Sequence, residues 1–221
     1  MSKDEGVVAA GNSRRVVAAI RLLVAAAIVV AVIVTALDVA SRTRLNVFNL
    51  FGYFTIQSNL ILGVTYVIVS VGLLRRRPIT PASVMLRACA TGYIIIVGIV
   101  YAVLLAPLGA AGGVPVPWAN VLLHIIAPLY AVIDWLTVDD RRRLAASRLP
   151  VILIYPALWL VVILIRGATD GWFPYPFLDP AIGYGAMSVY IVGILVAMLA
   201  VGAIVFATSR LPASISVTTS G

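Results

Sequence analysis

Six long apolar runs, at residues 16–37, 49–74, 84–105, 118–138, 149–165 and 181–206, limit what this chain can fold into more than any other feature. Each reaches the ~17–25 residues that carry a helix across the hydrocarbon core of a bilayer. Inside lipid no water bonds the backbone, so each run must satisfy its own N–H and C=O groups as a helix. Composition agrees: 62% of the 221 residues are hydrophobic and 11% charged. A soluble domain of that size cannot bury so much apolar surface. The expected fold class is therefore all-α: a polytopic membrane protein built as a bundle of six transmembrane helices. Residues 1–13 read as a disordered N-terminal segment, 14–210 as the transmembrane domain and 211–221, rich in Ser and Thr, as a flexible tail.

The first run has a rival reading as a signal peptide, because Arg14 and Arg15 precede it. It is longer than the ~7–15 residues of such a segment, and Asp38 stands where cleavage needs a small neutral residue. A spanning helix fits better. Orientation follows from the basic residues. The N-terminus, the second and fourth loops and the C-terminus hold thirteen of the 16 Lys and Arg, and the opposite side holds only Arg42, Arg44 and Arg166. Both termini are thus expected in the cytoplasm of a multi-pass cell-membrane protein. The same placement argues against a nucleic-acid partner despite a net charge of +8, since almost every arginine flanks an apolar run. The lone Cys89 excludes a disulfide framework and reads as a small packed residue. One histidine without a cysteine pair falls short of a metal site and excludes a bis-histidine haem. No metal and no cofactor is expected. No internal repeat is visible, and nothing in the residues fixes an oligomeric state.

Polar side chains inside a membrane are costly, and so are functional candidates. Hydroxyls that can bond back to their own helix, as at Thr65, Ser70, Thr91 and Ser188, are the exception. The second run opens on Asn49-Leu-Phe-Gly-Tyr-Phe-Thr-Ile-Gln-Ser-Asn59, which crowds Thr55, Gln57, Ser58 and Asn59 into about one turn. Thr55 and Asn59 stack on one face, and Gly63 continues the stripe where another helix could approach closely. The plainer alternative is a polar seam that glues helices together.

His124, in the fourth run, is the one side chain whose ordinary pKa lies near neutrality. Counted from the outer edge of each run, Thr55 and His124 lie level. Counted from the inner edge they differ by five residues, ~7.5 Å, which would make Ser58 or Asn59 the histidine's neighbour instead. Asp134 lies ten residues beyond His124, ~15 Å deeper, where Arg87 or the 141–143 arginines could pair with it. Asp38, at the outer end of the first run, could reach Arg42, Arg44 or the histidine, and is the candidate orienting acid. The loop from Arg166 to Pro180 carries four aromatics and three prolines. It reads as an interfacial belt or as a lid over an outward-facing pocket, with Arg166 available to hold a carboxylate head group.

Three stretches resemble a known family: Tyr53-Phe-Thr-Ile-Gln-Ser-Asn59, Leu123-His-Ile-Ile-Ala-Pro128 with Asp134-Trp135, and Tyr155-Pro through Arg166-Gly to Trp172-Phe-Pro-Tyr-Pro-Phe-Leu-Asp179. They are similar to bacterial predicted-six-helix membrane proteins, themselves similar to the androgen-induced membrane-protein (ADTRP-like) hydrolases. The resemblance covers nearly the whole membrane region, although Gln57-Ser58-Asn59 departs from the animal pattern. It implies an integral-membrane hydrolase of lipid esters, such as fatty-acid esters of hydroxy fatty acids, with Thr55 as nucleophile and His124 as base. Membrane lipid and a fatty-acyl substrate would be its partners. A threonine hydroxyl needs such a base to become nucleophilic, and a developing oxyanion needs fixed donors, for which the Asn59 or Gln57 amide, with Ser58 beside them, are candidates. The competing reading is a carrier or binding protein for a small or lipid-like molecule with no covalent chemistry. Broken helices would favour it, and Pro128 is the one strong interior breaker.

Overall fold

The computed structural model describes residues 3–217. Among them there is helix and connecting loop, with no strand beyond one isolated bridge between Val138 and Ile215. Six helices are long and apolar enough to cross a membrane. They are α1 (Lys3–Arg42), α2 (Phe54–Leu74), α3 (Pro81–Gly109), α4 (Pro117–Thr137), α5 (Ala146–Asp170) and α6 (Tyr184–Thr208). The all-α, six-helix expectation holds. α1 starts earlier than expected: it is helical from Lys3, where a disordered segment was expected through residue 13. No proline stands in that stretch to stop a helix from growing outward.

The chain breaks where its residues cap helices. Thr80 and Ser83 form a reciprocal capping box at the start of α3, with Pro81 in the first turn. Gly171 ends α5 in the left-handed region at φ 68°, which a side chain would resist. α1 packs along α2, α2 on α3, and α3 on both α4 and α6. A continuous core including Ile28, Leu62, Ile94, Leu123 and Trp135 runs through these contacts. α5 packs on α6 through residues 146–153 and stands off beyond them, with only 17% of its apolar window buried. Aromatic rings bridge its gap to α2, where Phe54 lies 5.3 Å from Tyr155 and 5.1 Å from Trp159 between ring centroids.

Both ends of the described chain meet at one end of the bundle, here the termini end, where the Arg14 Nε donates to the Val217 carbonyl at 3.1 Å. The tail expected to be loose is docked through Val217. Ile215 exchanges backbone hydrogen bonds with Thr137 and Asp139 at 2.8 and 3.1 Å, and Val217 packs on Val17, Leu73 and Val138. Residues 218–221 lie outside the described chain. Beneath the tail, Arg21 of α1 and Arg87 of α3 clamp two carboxylates, Asp134 of α4 and Asp140 just after it. Arg21 reaches Asp134 at 2.8 Å and Asp140 at 2.5 Å; Arg87 reaches Asp134 at 2.7 Å and also bonds Asp140. All four side chains are buried. Two positive and two negative charges cancel, which is what lets so many ions leave water together. Burial would push the Asp140 carboxyl up, but the charges and hydrogen bonds of Arg87 and Arg21 outweigh it and hold the carboxyl below its ordinary value.

Candidate functional site

At the opposite end of the bundle two helices change their winding. Residues 101–105 of α3 and 122–126 of α4 form π-turns, closed by i→i+5 bonds from Ala106 N–H to the Tyr101 carbonyl and from Ala127 N–H to the Leu122 carbonyl. Each π-turn is followed by an Ala-Pro pair, Ala106-Pro107 and Ala127-Pro128. Proline has no N–H and crowds the carbonyl four residues before it, so a widened turn relieves the clash. Gly98 of α3 lets the Pro128 ring approach; a Cβ there would lie 3.2 Å from that ring and 3.4 Å from the His124 carbonyl.

The π-turn in α4 leaves the Leu123 carbonyl without a partner in its own helix. Its α-type donor, Ala127 N–H, bonds Leu122 instead, and its π-type donor would be Pro128. The Asn59 amide fills that place from α2, donating to Leu123 O at 3.2 Å and to Thr55 O at 2.9 Å. Asn59 thus pins the turn that carries Thr55 against the turn that carries His124. It is a positioning residue, and its donors are occupied, contrary to the oxyanion role expected of it. Gln57 is likewise committed: its amide nitrogen donates to the Phe51 carbonyl and its oxygen accepts from the Tyr155 hydroxyl at 3.0 Å. Ser58 is fully buried and makes no hydrogen bond to Thr55 or His124.

Thr55 and His124 do meet. The Thr55 Oγ1 lies 3.4 Å from His124 Nε2 and 3.4 Å from the Tyr175 hydroxyl, and Thr55 N–H donates to that same hydroxyl at 3.2 Å. The other ring nitrogen, Nδ1, faces the Asn120 carbonyl at 3.1 Å. A carbonyl only accepts, so Nδ1 carries the proton and Nε2 of the neutral ring is the acceptor. The pattern then has one consistent direction: the Tyr175 O–H donates to Thr55 Oγ1, whose own proton points at Nε2. Burial pushes the Tyr175 phenol up to about 12, so it keeps its proton through the neutral range. The imidazole is further fixed by stacking on Tyr101, with centroids 4.2 Å apart. Tyr101 in turn accepts a hydrogen bond from Asn120 Nδ2 at 2.6 Å.

Asp38 takes no part in this arrangement. Its carboxylate pairs with Arg42 one turn on at 2.7 Å, and a main-chain carbonyl holds the place at Nδ1 that an orienting acid would need. Arg166 is also spoken for. Its guanidinium bonds Asp170 at 2.8 Å, Asn49 Oδ1 at 2.8 Å and the Phe48 carbonyl at 3.1 Å, and it lies 4.4 Å under the Trp172 ring. Its work is to anchor the loop between α5 and α6. That loop folds over Thr55, with its rings pressed on glycine backbone. A Cβ on Gly52 would fall 2.6 Å from Trp172, and one on Gly167 only 2.0 Å from Phe173.

Sequence reasoning missed Tyr175, Tyr101 and Asn120. Asn120 sits one turn before His124 on the same face, and Tyr175 lies inside Pro174-Tyr-Pro176; the Ala-Pro pairs were the signal for the π-turns. Beside Thr55 a narrow void of about 70 Å³ opens between α3, α5 and α6. Its walls are apolar except for Thr55, Tyr175 and the Trp159 indole, whose N–H is taken by the Gly52 carbonyl, and His124 stands behind Thr55, out of the lining. Among the described residues no group of three His, Cys, Asp or Glu is placed to hold a metal ion. No family model, curated protein or solved structure matches the chain.

Proposed function

We propose that the protein is an integral-membrane hydrolase of lipid esters, of the type formed between fatty acids and hydroxy fatty acids, with both termini in the cytoplasm and its site towards the outer face. The observation that carries this reading is the threonine hydroxyl shared between an imidazole acceptor and a phenol donor at the end of an apolar pocket. As Thr55 Oγ1 attacks the ester carbonyl carbon, Nε2 takes its proton and the ring becomes an imidazolium. The carbonyl oxygen gains the electron pair, and the Tyr175 O–H, released from Oγ1, donates to that oxyanion. Collapse breaks the ester C–O bond, and the imidazolium returns its proton to the leaving alkoxide. Water, deprotonated by the same nitrogen, then attacks the acyl-threonine; its C–O bond to Thr55 breaks, the acid leaves and the imidazolium returns the proton to Oγ1. The 3.4 Å separations suit a resting site whose contacts tighten when substrate binds.

The test is turnover of a fluorogenic lipid ester by purified protein. Thr55→Ala and His124→Ala are each expected to lower turnover at least a hundredfold with unchanged yield and helix content. Activity retained in either variant removes the assignment, and uptake of the intact ester into proteoliposomes without hydrolysis would favour a carrier.

A further inference from the structure

The pocket beside Thr55 has a closed end as well as a reactive one. Its half-buried walls, Leu160 on α5 and Ile191, Ile194 and Leu195 on α6, belong to the two helices that bury only 17% and 22% of their apolar windows. The gap between them therefore faces the bilayer, where the solutes at hand are lipid chains. The far end is formed by Ile96 and Met198, 2% and 1% exposed. One turn deeper on the same two helix faces stand Gly92 and Gly202, and the Ile152 side chain fills the space between them. A Cβ on Gly92 would meet it at 2.6 Å and one on Gly202 at 2.9 Å. From Ile191 to Met198 the slot runs seven residues along α6, ~10 Å. Beyond that, Ile152 is a plug.

We propose that this slot gauges the length of one unbranched acyl chain, which slides in sideways between α5 and α6 and stops at Met198. The inference builds on the lipid-ester reading of Thr55, which lies at the other end of the slot. Chain carbons beyond the floor find no apolar wall to cover them and must bend back into the gap.

Unbranched fatty acids from butyrate to palmitate are used to displace a brominated palmitate that quenches Trp159, a residue lining the slot. The full chain sits in nanodiscs, and Met198→Ala is compared with wild type. The ratio of the two cancels each acid's partition into the bilayer. It is expected to stay near one for short acids and then rise roughly fourfold for each methylene that the variant newly admits. Ile152→Ala, which empties the space behind the floor and lets the flexible Met198 side chain fold back into it, is a second variant and is expected to move the break in the same direction. A ratio flat across the series in both variants overturns the gauge. p-Nitrophenyl esters of the same acids supply the separate turnover reading. Hydrolysis with a flat binding ratio sinks the gauge and leaves the hydrolase. A break that shifts in binding while no ester is cleaved sinks the hydrolase and leaves the gauge.

Discussion

At the scale of single residues, the site depends on which donors are free. Asn59 and Gln57 looked like oxyanion donors because amides near a nucleophile usually serve that way. The structure spends both on holding backbone and tyrosine in place. Tyr175 is the donor left over, protonated and aimed at the Thr55 hydroxyl. Tyr175→Phe is accordingly expected to lower kcat by roughly a hundredfold or more, the usual effect of removing one oxyanion donor, with KM little changed because the ring and its packing remain. A KM rise with kcat intact would show instead that the phenol only shapes the pocket. Asn59→Leu makes a different prediction. It leaves the Leu123 carbonyl buried and unpaired, so a loss of about 1–3 kcal/mol in stability is expected. Chemical denaturation reads it, and an unchanged midpoint would contradict the positioning role. The pairing of Thr55 with His124 was half legible, since the outer-edge count set the two level while the inner-edge count favoured Ser58 or Asn59; the direction of the hydrogen bonds was not legible at all. It depends on a carbonyl, Asn120 O, which has no side-chain signature.

At the scale of elements, the two π-turns aim the site. One carries Tyr101 and the other His124, the two rings that stack, and each exists because an Ala-Pro pair follows. Pro128 was legible as the one strong interior breaker, where a carrier usually shows broken helices at mid-membrane. Its physical effect is narrower: it widens one turn and frees the Leu123 carbonyl for Asn59. Pro128→Ala restores the missing N–H and lets α4 close to an ordinary α-turn, which would rotate His124 relative to Thr55. Helix content by circular dichroism is expected to stay unchanged while ester turnover falls by at least tenfold. Full activity in this variant would mean that the π-turn does not set the ring's aim. The loop's aromatics read as a belt or a lid; the structure folds the loop over Thr55 and engages Arg166, the head-group candidate, in anchoring it. Asp170, one turn on, is a local partner, but Phe48 and Asn49 come from distant chain positions, and no local pattern announces that part of the clamp.

At the scale of the molecule, the candidate site and the buried ion quartet occupy opposite ends of the bundle. The six helices were legible because lipid leaves the backbone one solution. Their packing order was not, since apolar runs look alike to each other. The ion quartet that ties α1, α3 and α4 was half legible: Arg87 and Asp134 were expected partners, whereas nothing in the sequence singled out Arg21 or Asp140 for it. Asp140 gives a pH test. Its folded pKa is depressed, so its stabilising contribution is present above the unfolded value near 4 and is lost as pH falls through the folded one. Thermal stability is expected to drop on acidification below about pH 4, and Asp140→Asn to start lower and lose less over that range. An equal acid slope in both proteins would remove Asp140 from the account. The central claim remains that Thr55 is a nucleophile activated by His124. Treatment with a long-chain fluorophosphonate, followed by peptide mass mapping, tests it most directly. A covalent adduct on Thr55 that disappears in His124→Ala is the predicted result; no adduct on Thr55, or one that forms equally well without the histidine, would contradict it.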